Sequence, residues 1–265
     1  MLRAYVLSLP MAFLLKIAVP PFLVAAMSLA ARWWGPTIGG LLLGMPWMTG
    51  PVLFFLALDK GEEFAVGACA GIELGVVCVA AFMLAYGVVS TFARWPASLA
   101  VAAAAFGASA WAIQDVALTL PAAAASAVAS LGVAYLLLPR PRAAAVPAKL
   151  PWWDIPARML TAFALVAIIM LSADVLGARL SGIVSTYPAM VTVIGTFTHR
   201  QWGLDAVRHM LRGLTFSLLV FVAFFLAVGI SLPAVGLVAS FIVAAALVLV
   251  IDAVLLALMR RRQRA

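Results

Sequence analysis

The chain has 265 residues, of which 67% are apolar and 10% are charged, with a mean hydropathy of +1.19 and a net charge of +8. A water-soluble domain of this size needs far more polar surface, so the composition excludes a soluble protein and predicts a membrane protein. In a membrane protein the positive charge reports topology rather than nucleic-acid binding. Cys69 and Cys78 share one apolar segment, which indicates small buried side chains rather than a disulfide or a metal site.

Nine membrane spans are predicted from apolar segments that each come close to the roughly 20 residues a bilayer requires. Spans 1 to 5 cover residues 8–31, 37–58, 64–89, 96–114 and 118–138. Spans 6 to 9 cover residues 157–174, 179–198, 212–230 and 233–259. The predicted fold class is therefore an all-α polytopic transmembrane helical bundle.

Prolines and charges divide the chain into four units. Residues 139–156 contain five prolines and several charges, which a spanning helix cannot hold, so we interpret them as a linker. The linker separates a first membrane repeat, 1–138, from a second one, 157–259. The remaining residues, 260–265, form a basic tail. Linker and tail are both expected in the cytoplasm.

The second half of the chain repeats the first at an offset of 142 residues (177 minus 35). The matched identities include Gly35/Gly177, Gly40/Gly182, Pro46/Pro188, Met48/Met190, Phe55/Phe197 and Gly61/Gly203. All of these matches share one offset without gaps, which indicates that one unit was duplicated. The second copy lacks span 4, because Leu120-Pro121-Ala122 returns as Leu232-Pro233-Ala234 at an offset of only 112 (232 minus 120). Five spans precede the second copy, and an odd number inserts it upside down, so we predict inverted repeats of five and four spans.

The basic residues test this topology independently. With nine spans, Arg3, Lys60 and Arg179 fall on one side of the membrane, and thirteen other Lys or Arg residues fall on the opposite side. Cytoplasmic loops carry an excess of Lys and Arg, so the amino terminus is predicted outside and the carboxyl terminus in the cytoplasm. At this basic face we expect contacts to anionic lipid and no nucleic acid.

Spans 2 and 7 are each interrupted near their middle, by Pro46 and Pro188 respectively. A proline leaves the carbonyl four residues before it without a donor, which at membrane depth is tolerated only where protein or a wet cavity satisfies that carbonyl. Broken helices at equivalent positions of an inverted repeat point to the substrate site of a transporter. The candidate substrate-binding residues are Pro46, Trp47, Thr49, Ser185, Thr186, Tyr187, Pro188, Thr192 and Thr196. In the alternative interpretation, these kinks and hydroxyls only pack helices together.

Three ionisable residues, Lys16, Glu73 and Asp252, fall inside predicted spans. At the bilayer centre each costs roughly 2.5–3.5 kcal/mol, so each needs a partner, water or a route to the interface. Lys16 and Glu73 lie at similar depths, where they can pair as a structural clamp or form a coupling site in which Glu73 carries a proton. Asp252 is expected to reach towards the arginines of the tail.

The sequence gives little support to an enzyme, a metal site or a cofactor. His199 and His209 fall in the predicted loop between spans 7 and 8, with arginines around them. The sequence contains no zinc-protease, paired-carboxylate, nucleophile-elbow or phosphate-loop pattern. The expected partners are therefore the bilayer and a small-molecule solute, and a homodimer is compatible with the sequence.

Three motifs of the second copy resemble one known family. They are Gly-x5-Pro, Gly-Leu-Asp-Ala-Val-Arg and Leu-Pro-Ala, at Gly182–Pro188, Gly203–Arg208 and Leu232–Ala234. Together they resemble the small four-helix bacterial membrane proteins of the GlpM family, over about 157–259 and more weakly, through the repeat, over 15–89 and 118–138. The resemblance implies a fused double version in a bacterial inner membrane, linked to exopolysaccharide production, and it supplies no catalytic residues. The chain departs from the family at Ser185-Thr186-Tyr187, where apolar residues are expected.

Two functions follow as expectations. The first is a transporter or exporter of a small polar or anionic solute, coupled to protons through Glu73, with its site in a midplane cavity between spans 2 and 7. The second is a non-transporting accessory membrane protein in envelope or exopolysaccharide production or in lipid handling, for which the helix breaks are packing features.

Overall fold

The structure is a computed structural model, and it describes residues 19–47, 49–143, 151–168 and 187–264. Within these ranges the chain forms nine helices and no strand, which confirms the predicted all-α class. The helices are α1 (19–34), α2 (Pro36–Leu43), α3 (Thr49–Lys60), α4 (Glu62–Val89), α5 (Trp95–Ile113), α6 (Leu120–Leu137), α7 (154–168), α8 (Ala189–Val235) and α9 (Leu237–Arg264). Four of them, α4, α5, α6 and α8, are long and apolar enough to cross a membrane, as a multi-pass membrane protein requires.

The nine helices do not match the nine predicted spans one for one. Span 2 is divided into α2 and α3, and Pro46 lies in the division as predicted. Spans 7 and 8 belong to one element, α8, so the loop predicted at 199–211 is helical instead. The physical reason is Gly203, whose φ of 82° turns the chain within one residue and leaves helix on both sides. We call residues 189–202 α8a and residues 204–235 α8b.

Two further boundaries differ from the prediction. Pro233, expected at the start of span 9, lies in the last turn of α8b, and Gly236, with a φ of 77°, separates α8b from α9. Helix α7 begins at Asp154, inside the predicted linker. Span 1 before residue 19 and span 7 before residue 187 lie outside the described residues.

Helices α4 and α8b run antiparallel and contact each other in a symmetric way. A Cβ atom at Gly229 would lie 3.2 Å from the Cβ of Cys69, and a Cβ atom at Gly87 would lie 3.5 Å from Cδ1 of Leu211. In the repeat, Gly229 matches Gly87 and Leu211 matches Cys69 (229 minus 87 and 211 minus 69 both give 142). The two contacts are therefore one contact made once from each copy, as a twofold axis requires. The predicted inversion is confirmed for this helix pair.

Helix α2 packs against α8b through glycines. A Cβ atom at Gly40 would lie 2.1 Å from the carbonyl oxygen of Met210, and one at Gly213 would lie 2.2 Å from the carbonyl oxygen of Thr37. Neither position accepts a side chain unless the two backbones move apart. Helices in a bilayer associate through such close approach, because lipid supplies no hydrophobic driving force. The crossing therefore fixes α2 against the second copy.

We expect Gly40→Ala to lower the melting temperature of the protein in detergent. The added methyl group overpacks the α2–α8b crossing, and overpacking typically costs about 1–3 kcal/mol. The matched control is Gly132→Ala on α6, where an added Cβ meets no described heavy atom within 4 Å. If Gly40→Ala had the same melting temperature as the wild type, the close crossing of α2 and α8b would be contradicted.

Candidate functional site

The first helix break lies between α2 and α3, where Pro46 has no N–H to donate to the carbonyl of Leu42. The indole Nε1–H of Trp47 donates to that oxygen instead, at 3.0 Å, and the backbone N–H of Met45 lies 3.4 Å from it. Protein therefore satisfies the freed carbonyl. Trp47, predicted to bind substrate, has a structural contact at this position.

A cavity of about 590 Å³ lies beside the first break, between α3, α8b and α9. Its volume is in the range of ligand pockets. Residues that line it include Pro46, Trp47, Phe54, Phe224 and Phe241, and its other lining side chains are apolar as well. Because the indole N–H of Trp47 is already bonded, the cavity is suited to an apolar group and not to a polar solute. Thr49, another predicted site residue, is not among the lining residues.

Pro188, the predicted second break, directly precedes α8a, and the side chains beside it form hydrogen bonds. The Thr192 hydroxyl donates to the Tyr187 hydroxyl at 2.9 Å, and the Thr196 hydroxyl donates to the Thr192 carbonyl at 2.6 Å. One turn further along α8a, Nδ1 of His199 lies 3.2 Å from the hydroxyl of Tyr86 on α4. We call Tyr86, Tyr187, Thr192, Thr196 and His199 the polar line. The predicted site residues Ser185 and Thr186 lie outside the described residues.

The repeat supplies an internal comparison for the polar line. At an offset of 142, its five positions match apolar residues of the first half or of α8b, namely Val228 for Tyr86, Met45 for Tyr187, Gly50 for Thr192, Phe54 for Thr196 and Ala57 for His199. The repeat register by itself therefore does not require polar groups at these positions.

Helix α5 accounts for part of the difference between the two breaks. The Tyr187 ring lies edge-on to Phe106 of α5, with centroids 5.4 Å apart, and edge-on to Phe82 of α4 at 6.0 Å. The second copy contains no counterpart of α5, so no equivalent helix closes the first break, where the cavity remains. In the described residues the two breaks therefore pack against different helices: the first lines a cavity with α8b and α9, and the second contacts α4 and α5.

Glu73 is fully buried in α4, and neither of its carboxylate oxygens has a hydrogen-bond partner among the described residues. It lies one turn from Cys69, on the face of α4 that contacts α8b. Its predicted partner Lys16 lies outside the described residues, as does the side chain of Asp252. The predicted Lys16–Glu73 pair therefore stays a prediction.

The sequence reading missed a polar cluster that joins α1, α7 and α8a. Asp154 is fully buried and accepts hydrogen bonds from Arg32 and Gln201. It also accepts one from Nε of Arg158 at 2.9 Å, and Nη2 of Arg158 donates to Oε1 of Gln201 at 2.9 Å. We call these four residues the Asp154 cluster. Asp154 and Arg158 are four residues apart, which is the spacing of an ion pair on a helix. The prediction did not use this spacing, because it placed Asp154 in the linker and Arg158 in span 6.

The described part of the chain contains no group of three or more His, Cys, Asp or Glu side chains placed to hold a metal ion. No family model, curated protein or solved structure matches the chain. The resemblance to the GlpM family therefore stays a prediction based on the three motifs.

We expect Trp47→Phe to destabilise the protein by about 0.5–1.5 kcal/mol, the typical net contribution of one hydrogen bond, because the backbone N–H of Met45 still reaches the Leu42 carbonyl. Phenylalanine keeps an aromatic ring but removes the donor to the Leu42 carbonyl. Trp111→Phe, on an exposed position of α5, is the control for losing an indole. Thermal unfolding in detergent measures both variants, and equal melting temperatures would show that Trp47 does not close the break.

Proposed function

We propose that the chain is a membrane transporter of a small polar or anionic solute and that the solute passes along the polar line at the second break. The observation that carries the proposal is the contrast within the repeat. Polar groups at membrane depth need partners, and a sequence under no functional demand avoids them there. The residues at the matched positions are apolar, whereas the polar line has four hydroxyls and one imidazole and runs from Tyr187 to His199, two residues before Gln201 of the Asp154 cluster.

The chemistry of the polar line suits a solute that makes and exchanges hydrogen bonds. A hydroxyl both donates and accepts, and its proton rotates to suit the partner, so a row of hydroxyls can replace the hydration of a moving solute. Aromatic rings of Phe82 and Phe106 stand beside Tyr187 and bound the line on the side of α4 and α5. Broken helices that line such a path are typical of secondary transporters built from inverted repeats.

Glu73 is the proposed proton carrier. A carboxylate that has no hydrogen-bond partner among the described residues is costly at membrane depth, and taking up a proton removes that cost. It lies at the α4–α8b contact between the two copies, and in inverted-repeat transporters the copies move against each other. Movement at this contact would expose the carboxyl group and release its proton.

The rival function is an accessory or lipid-handling membrane protein. The apolar cavity at the first break favours it, because that cavity suits a lipid chain better than a polar solute. The two functions differ in whether water reaches the polar line.

The first test of the proposal compares Thr192→Cys with Gly50→Cys, its repeat mate, in a protein whose Cys69 and Cys78 are replaced by alanine. Gly50 accepts a side chain, since an added Cβ meets only ordinary van der Waals contacts, 3.7 Å from the Phe224 ring. In membrane vesicles we expect a charged thiol reagent to label the cysteine at position 192 and not the one at position 50. Labelling of neither, or equal labelling of both, would favour the accessory function.

The second test concerns Glu73 and follows protons. Proteoliposomes that enclose a pH-sensitive dye are given a panel of sugars, polyols, carboxylates and amino acids. We expect one class to drive proton flux in the wild type and not in Glu73→Gln, which keeps the shape of the side chain but cannot release a proton. Thr215→Val, at the repeat mate of Glu73, is the matched control and should retain the flux. Solute-driven proton flux that survives in Glu73→Gln would exclude Glu73 as the carrier.

A further inference from the structure

The Asp154 cluster holds more positive than negative charge. Arg32 and Arg158 share a single carboxylate, that of Asp154, so the cluster carries one positive charge that no described side chain neutralises. Arg158 is 2% exposed and Asp154 is fully buried, so water has little access to this ion pair. A buried charge without a counter-charge is costly, and an arriving anion removes that cost.

Arg32 is the member of the cluster that can reach an outside ligand. Its side chain is 24% exposed, whereas those of Arg158 and Asp154 are 3% and 0% exposed. Its Nη2 is bonded to Asp154, and its Nε, which is buried, has no hydrogen-bond partner among the described residues. A guanidinium group carries five N–H donors and binds phosphate through pairs of them, so the partly exposed side chain of Arg32 has more donors than the one bonded to Asp154.

Exposed tryptophans indicate that the cluster lies at the level of the membrane surface. The residues of the cluster stand at the end of α1, at the start of α7 and near the end of α8a. Four exposed tryptophans flank it in the sequence: Trp33 and Trp34 follow Arg32, and Trp152 and Trp153 precede Asp154. Exposed tryptophans concentrate at the headgroup level of a bilayer.

The surplus positive charge is not a requirement of the repeated fold. At an offset of 142, the positions of the cluster match Asp174, Ala12, Lys16 and Asp59, in the order Arg32, Asp154, Arg158 and Gln201. These residues carry one positive and two negative charges, so the net charge at the matched positions has the opposite sign. The repeat therefore does not account for the positive charge of the Asp154 cluster.

We infer that the Asp154 cluster binds the phosphate group of an anionic phospholipid. The partly exposed guanidinium group of Arg32 and the unbalanced charge of the cluster bind the phosphate, and the neighbouring tryptophans contact the glycerol and the upper acyl chains. Asp154 and Gln201 hold the two guanidinium groups in place. The proposed lipid site rests on the charge and exposure of the cluster and not on the polar line, so it stands whether or not the chain transports a solute.

The experiment measures lipid binding to the full-length protein in detergent by native mass spectrometry and by thermal shift. The probes are phosphatidylglycerol, phosphatidylcholine and inorganic phosphate. Arg32→Gln removes the proposed ligand, and Arg94→Gln is the matched control because it removes one positive charge from an exposed residue outside the cluster. Arg32→Lys, which keeps the charge but loses the fork of donors, serves as a second variant if Arg32→Gln does not fold.

We expect phosphatidylglycerol to raise the melting temperature of the wild type and of Arg94→Gln, with little effect from phosphatidylcholine. Arg32→Gln should weaken binding about tenfold or more, as expected for the loss of a charge-assisted hydrogen bond, and Arg32→Lys should weaken it less. Equal weakening by Arg32→Gln and Arg94→Gln would overturn the site in favour of a diffuse surface charge. Equal protection by inorganic phosphate and phosphatidylglycerol would overturn the assignment to lipid and leave a site for free phosphate.

Discussion

The rest of the structure depends on the antiparallel contact between α4 and α8b. These helices are the same element of the two copies, and Cys69 meets Gly229 as Leu211 meets Gly87, so each helix provides the surface that the other needs. A lipid environment supplies no hydrophobic drive for helix pairing, so this contact has to rest on close packing. The glycine crossing of α2 on α8b applies the same constraint to a neighbouring pair.

Because the two halves are copies of one unit, the residues around Pro46 can be compared directly with those around Pro188. The first half contains a proline break and the second half is predicted to contain one, and a break must find a donor for the carbonyl that the proline leaves free. The first break finds it in the Trp47 indole and is surrounded by apolar side chains. The second break is surrounded by hydroxyls and a histidine and is covered by α5, which has no counterpart in the second copy. Function is therefore best sought where the halves differ, because the shared fold explains only what they have in common.

Much of the fold could be predicted from the sequence, because long apolar segments, proline breaks and a fixed repeat register are all local signals. The residues between His199 and Leu211 were interpreted as a loop because they are charged, yet one glycine with positive φ at position 203 is enough to turn the chain. The sequence showed that the Leu42 carbonyl needed a donor but could not identify Trp47 as the donor. The Asp154 cluster was missed because Arg32 and Gln201 reach Asp154 only after three distant segments pack together.

The central claim is that the two copies face each other in opposite directions across the α4–α8b contact. Disulfide formation between engineered cysteines tests it most directly, since a Cβ atom at Gly229 lies at 3.2 Å from that of Cys69, close to the separation of about 3.8 Å that a disulfide prefers. We predict that Gly229→Cys forms a disulfide with the native Cys69 in membranes. A disulfide between Cys69 and Leu211→Cys, which would place matched residues of the two copies side by side, would contradict the account.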